Sequence, residues 1–202
     1  CGFAIATGEH TDSTRGRRAM IDASHERLTD YERTIIAMRG DGRFRSNLEM
    51  LACCALGLSE ETAEVAQAVH YGHAGPVLNE LGDVAWYAIT AAHRLNTTLT
   101  QLRAIPAHAP AQDVDDSIRG MVTAAGLFAG RVKKWLYHDK PLDHELALRD
   151  LACVLLRAEQ IADWHERTLE DAFAENIAKL RKRFPSGGFT AAEANARADE
   201  TK

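Results

Sequence analysis

The chain has 202 residues, 24 Lys and Arg against 29 Asp and Glu, and a formal charge of −5. That length suits one domain or two small ones packed together, and it can bury a core without disulfides or a structural metal. Hydrophobic residues at 46% and charged residues at 26% exclude general disorder. The mildly acidic balance gives no support to a nucleic-acid backbone as the main partner, so none is expected, but it leaves room for a small phosphorylated ligand on a local cationic patch. Cys1, Cys53, Cys54 and Cys153 form no CxxC pair, which suits small buried apolar residues in a reducing compartment. No apolar run approaches the roughly 20 residues needed to span a bilayer, and the opening CGFAIATGEH lacks a secretory signal's charged start. A soluble, cytoplasmic protein with no membrane contact is expected. The missing initiator Met predicts a trimmed or processed chain.

Residues 1–26 are rich in Gly, Thr, Ser, Asp and Arg without periodicity and read as a mobile arm. From Thr29 the spacing turns helical through Tyr31, Ile35, Ile36 and Met38, until GDGRFRSN interrupts it. A second helix is predicted from near Asn47 to the break at YGHAGP, and a third from about Val77 to Leu95. TTLTQLRAI predicts a short fourth helix capped by Thr97 or Thr98. Residues 27–105 thus form a first helical half. The Pro-spaced, acidic stretch at 106–116 reads as a linker. Residues 117–185 form a second half, with helical patterns at Ile118 to His138, Leu142 to Trp164 and Thr168 to Phe184. Residues 186–202 are a weakly apolar tail. Strand alternation is not evident, so the fold class is all-α.

The two halves resemble each other. GLSEETAEVAQAVHYG lines up with GLFAGRVKKWLYHD after a small shift, and LNELGDVAWYA lines up with LALRDLACVLL, with Asp83 taken opposite Asp150. An internal duplication is expected from the matched order of elements.

Five carboxylates stand out: Glu60, Glu61, Glu64, Glu80 and Asp83. Glu61 with Glu64, and Glu80 with Asp83, are three residues apart, so each pair projects from one helical face inside an apolar stretch. If those apolar faces meet, the acids approach the seam between the helices, where uncompensated carboxylates are costly or must protonate. A divalent cation relieves that conflict, and oxygen-only ligands favour Mg2+ or Mn2+ over zinc. The nine histidines form no Glu-x-x-His repeat, which argues against a di-iron carboxylate bundle. Trp86, Tyr87 and Trp135 sit at helical spacing, which predicts core packing ahead of base stacking.

Glu60-Glu61-x-x-Glu64, then Glu80-x-x-Asp83, resembles the EExxE…ExxD pattern of MazG-like, all-α nucleoside triphosphate pyrophosphohydrolases. NELGDVAWY, VKKWLYHDKPLD and NIAKLRKRFPSGGF are similar to further stretches of phage and bacterial members, so the resemblance covers roughly residues 28 to 190. It implies a four-helix-bundle-type fold and Mg2+-dependent hydrolysis of an NTP or dNTP to monophosphate and pyrophosphate, with Mn2+ as a substitute ion. Metal ligation is implied for Glu61, Glu64, Glu80 and Asp83, and a general-base or supporting role for Glu60 or Glu61. Lys179 and Arg183 match phosphate-facing positions, and Asn176, one turn earlier, is expected to hydrogen-bond the nucleotide. The first half keeps the acids but carries Ala66 and Gln67 where the second has Lys133 and Lys134. The second half has Phe128 and Arg131 opposite Glu61 and Glu64, and Ala147 opposite Glu80. A fused pseudo-dimer with one composite metal site is therefore expected, similar to the related dimeric dUTPases, with one of the two lysines facing the site. The whole chain either suffices alone or forms a homodimer. A phosphoribosyl-ATP-type pyrophosphohydrolase and a non-catalytic helical regulator remain as alternatives.

Overall fold

The computed structural model describes residues 29–39, 46–72, 74–106 and 111–196. The expected N-terminal arm, most of the GDGRFRSN turn and residues 107–110 of the linker lie outside them. The described residues form eight helices and no strand: α1 (Asp30–Met38), α2 (Asn47–Tyr71), α3 (Ala74–Arg94), α4 (Leu99–Arg103), α5 (Val114–Tyr137), α6 (His144–Trp164), α7 (Leu169–Arg183) and α8 (Ala191–Ala196). None of these helices is long and apolar enough to cross a membrane.

Local chemistry sets most of the boundaries. Thr29, Thr98 and Thr168 each close a capping box with the residue three positions on, satisfying N–H groups that the first turn leaves bare. Ser46, Asp113 and Asp143 cap α2, α5 and α6 in the same way, each accepting from an N–H of the first turn. Gly72 ends α2 at φ 74°, a left-handed conformation that glycine adopts without strain. Two bounds differ from the sequence pattern. The linker shortens because Asp113 caps α5 and draws Asp115 and Asp116 into its first turn, where acids suit the helix dipole. The tail gains α8, and the Phe189 N–H donates to the Met38 carbonyl at 3.1 Å while its ring packs on Phe184.

The long helices pair as hairpins, α2 with α3 and α5 with α6, and the hairpins stack so that α2 meets α5 and α3 meets α6. Val65, Leu81, Val84, Phe128, Leu151 and Leu155 fill the shared core. The short helices cross over. Helix α4 follows α3 but packs chiefly on α6, whereas α7 follows α6 and packs on α3.

The hairpins also repeat in detail. Asn96 and Glu166, seventy positions apart, both adopt left-handed φ, 57° and 56°. The next residue, Thr97 or Arg167, donates its N–H to Ala92 or Ala162 in the same bond. At that spacing Val77, Leu81, Val84, Ala88 and Ala92 of α3 match Ala147, Leu151, Val154, Ala158 and Ala162 of α6, all buried. On α2 and α5 the matching spacing is sixty-seven, pairing buried Cys54, Leu58 and Val65 with Met121, Ala125 and Val132. This register corrects one sequence pairing. Asp150 stands opposite Glu80, not Asp83; Cys153 stands opposite Asp83, and Ala147 opposite Val77. Helix caps and buried faces set the register, whereas matching one aspartate to another ignored both.

Candidate metal centre

The acids converge where α2 faces α3. One carboxylate oxygen each from Glu61, Glu64 and Glu80 lies within 4.8 Å of the others. Gly57, one turn before Glu61, lets Tyr87 lie against α2, since a Cβ there would stand 2.5 Å from the ring. Burial above all, then Asp83, Glu64 and Glu80, pushes the Glu61 carboxyl up to about 8, against the pull of Lys179. Glu80 is raised as well, by burial first, then by Asp83 and Glu64, against its bond from Asn79.

Asp83 continues the acidic face and meets α7. Asn176 Nδ2 donates to Asp83 Oδ1 at 2.7 Å, and the Lys179 ammonium pairs with the other oxygen. Gly82 permits this approach. A Cβ at that position would stand 2.8 Å from Asn176 Cβ and 2.9 Å from the Ala172 carbonyl. Asn176 is fully buried and is itself held by Tyr31, whose hydroxyl lies 3.1 Å from Asn176 Oδ1 and 3.2 Å from the Gly82 carbonyl. Tyr31 in turn stacks on Phe173 of α7, ring centroids 4.1 Å apart. The same first turn of α1 is also fixed by Glu32, fully buried, which accepts from the Leu99 N–H at 2.6 Å and lies 2.9 Å from His93 Nε2.

A cavity of about 210 Å3 borders Glu61 and Asp83. Trp86, Tyr87, Phe184 and Phe189 give it aromatic walls, and Arg39 and Arg183 line it too. The remaining predicted residues lie elsewhere. Glu60, expected as a general base or supporting residue, is exposed beside Glu61 and lies outside the cluster. Lys133 and Lys134 are both exposed on α5, and neither bonds to the acids. Trp135 packs partly buried against the core, as its spacing predicts, whereas Trp86 and Tyr87 divide themselves between core and cavity.

Sequence spacing missed Tyr31, Arg39, Phe184 and Phe189. Tyr31 reads as one more apolar position of α1, and only its buried hydroxyl distinguishes it. Phe189 follows SGG, where no periodicity exists to place it.

Among the described residues, the three acidic oxygens converge with no nitrogen or sulfur ligand in the group, a donor set that fits a hard divalent cation. The fold and site define an all-helical protein with an acidic cluster beside an aromatic cavity. Compared with known proteins, the chain matches no family model, no curated sequence and no solved structure.

Proposed function

We propose that the protein is a Mg2+-dependent nucleoside triphosphate pyrophosphohydrolase of the MazG-like type, cleaving an NTP or dNTP with water to the monophosphate and pyrophosphate. In this reading the two hairpins are a fused pseudo-dimer carrying one composite site. The observation that carries it is the junction of two features: a carboxylate cluster suited to a divalent cation, directly beside a cavity with aromatic walls and arginines. The EExxE…ExxD motif adds the reaction.

Glu61, Glu64 and Glu80 would hold the ion, with Asp83 completing the set. When bound, Mg2+ or Mn2+ supplies charge neutralisation for the phosphate oxygens and an activated water. The chain's own residues supply the rest. Lys179, held at Asp83, stands ready to meet phosphate oxygens, and Arg183 lies one turn further along the same helix. Trp86, Tyr87, Phe184 and Phe189 offer faces for a nucleobase. With its carboxyl raised to about 8, Glu61 is suited to exchange a proton near neutral pH.

The test is release of pyrophosphate and monophosphate from a panel of NTPs and dNTPs with Mg2+ or Mn2+. Metal-dependent release that EDTA and Glu64→Gln both abolish is expected. Silence across the panel with Mn2+ bound would point to a specialised nucleotide such as phosphoribosyl-ATP. Silence without bound metal would refute the enzyme and leave a helical regulator.

A further inference from the structure

The second hairpin repeats the first and departs from it where the acids stand. By the register of caps and buried faces, Glu61 and Glu64 correspond to Phe128 and Arg131, Glu80 and Asp83 to Cys153's neighbour Asp150 and Cys153 itself, and Tyr87 to Arg157. Glu64 and Glu80 bring two like charges together across α2 and α3. Their counterparts bring opposite charges together: Arg131 Nε lies 2.5 Å from Asp150 Oδ2, with the Asp150 side chain only 9% exposed. A positive partner stabilises a buried carboxylate, and here an arginine of the chain itself provides it.

The space beside this pair is filled as well. Arg157 is 7% exposed and leans over Gly120, where a Cβ would stand 2.6 Å from its Nε. Gly120 corresponds to Cys53, which lines the cavity of the first hairpin. Arg157 donates to Gln160 at 2.9 Å and interacts with the Cys153 thiol. The helix that would complete this second site is also cut short. Helix α4, the counterpart of α7, ends at Arg103, and Pro106 falls where Asn176 would stand.

We propose that the second hairpin holds a closed copy of the metal centre, in which Arg131 supplies the positive charge that a divalent cation supplies to the first and Arg157 occupies the room that Tyr87 leaves open. This rests on the metal reading of the first cluster. The chain then binds divalent metal at one of its two related positions, and the closed copy serves as a structural half of the bundle.

The experiment is Mn2+ titration of the full chain, followed by the paramagnetic signal of free Mn2+ and by melting temperature. Wild type is expected to bind Mn2+, and Glu61→Gln/Glu64→Gln/Glu80→Gln to lose all of it. In that triple background, Phe128→Glu/Arg131→Glu/Cys153→Asp/Arg157→Tyr gives the second hairpin the first site's residues, with Asp150 in the place of Glu80, and should restore Mn2+ binding, with a melting temperature that rises with Mn2+. Mn2+ that persists after the first cluster is neutralised overturns the closed copy, because the second hairpin would then bind metal as it stands. A rebuilt variant that keeps its helical circular dichroism and takes up no Mn2+ overturns it too. If the rebuilt variant fails to fold, Arg131→Gln in the same triple background decides. A melting temperature lowered in EDTA and partly recovered with Mn2+ supports the cation role of Arg131, and a melting temperature equal to the background's refutes it. Wild type that binds no Mn2+ removes the metal reading itself, which separates that failure from the others.

Discussion

Replacing Glu61 by Gln should stabilise the metal-free protein at alkaline pH and leave it nearly unchanged near pH 5. Burial and three neighbouring acids raise the Glu61 carboxyl from 4.5 to about 8. Between those values the native protein holds a proton that the unfolded chain has released, so stability falls as pH rises through the window. At about 1.4 kcal/mol per pH unit the full displacement amounts to roughly 5 kcal/mol. Glu61 keeps some contact with solvent and feels Lys179, so about half of that, some 2–3 kcal/mol, is the working figure. For a chain of this length, a kcal/mol moves the melting temperature by about 2–4 °C, which gives roughly 5–10 °C. The amide copies the shape of the protonated acid without its charge. Melting curves of wild type and Glu61→Gln in EDTA should therefore coincide near pH 5 and separate by that amount near pH 9, the variant being the more stable. Under the proposed metal reading, saturating Mn2+ should close the gap by favouring the wild type, which keeps all the clustered carboxylates. Parallel curves across the pH range, or a variant less stable at alkaline pH, would refute the confinement of charge on which the site rests.

Gly82→Ala should cost about 1–3 kcal/mol, because the new methyl meets the Ala172 carbonyl and Asn176 with little room to yield. The same displacement draws Asn176 and Lys179 away from Asp83, so if the proposed function holds, pyrophosphate release should fall further than the melting temperature accounts for. Glu32→Gln should destabilise by about 1–3 kcal/mol, since a buried amide cannot accept from every donor that the carboxylate serves. Against the upward push of burial, His93, the Leu99 N–H and Thr29 hold Glu32 at about 2. Its contribution is therefore complete above 4.5 and lost as pH falls towards 2, and acid unfolding curves of wild type and variant should converge there.

The sequence by itself determined the helices and the acids. Apolar spacing located each long helix, a threonine cap marked the start of α4, and the i,i+3 pairs put Glu61 with Glu64 on one face. These are local properties, written within a few turns of chain. The pairing of the halves was visible as a trend, but its register was not, because Asp83 and Asp150 look alike in sequence while the left-handed residues at Asn96 and Glu166 become evident only once the backbone is seen. The choice between Glu60 and Glu61 depended on which way α2 turns towards α3, and a rotation of one residue places one acid in water and the other in the cluster. Tertiary structure alone brought α7 across to α3, so that Lys179 and Asn176 meet Asp83 from more than ninety residues away. It also turned Arg131 towards Asp150. Charge in a site depends on which side chains share a low-dielectric space, and that is settled by packing between helices rather than by spacing along one.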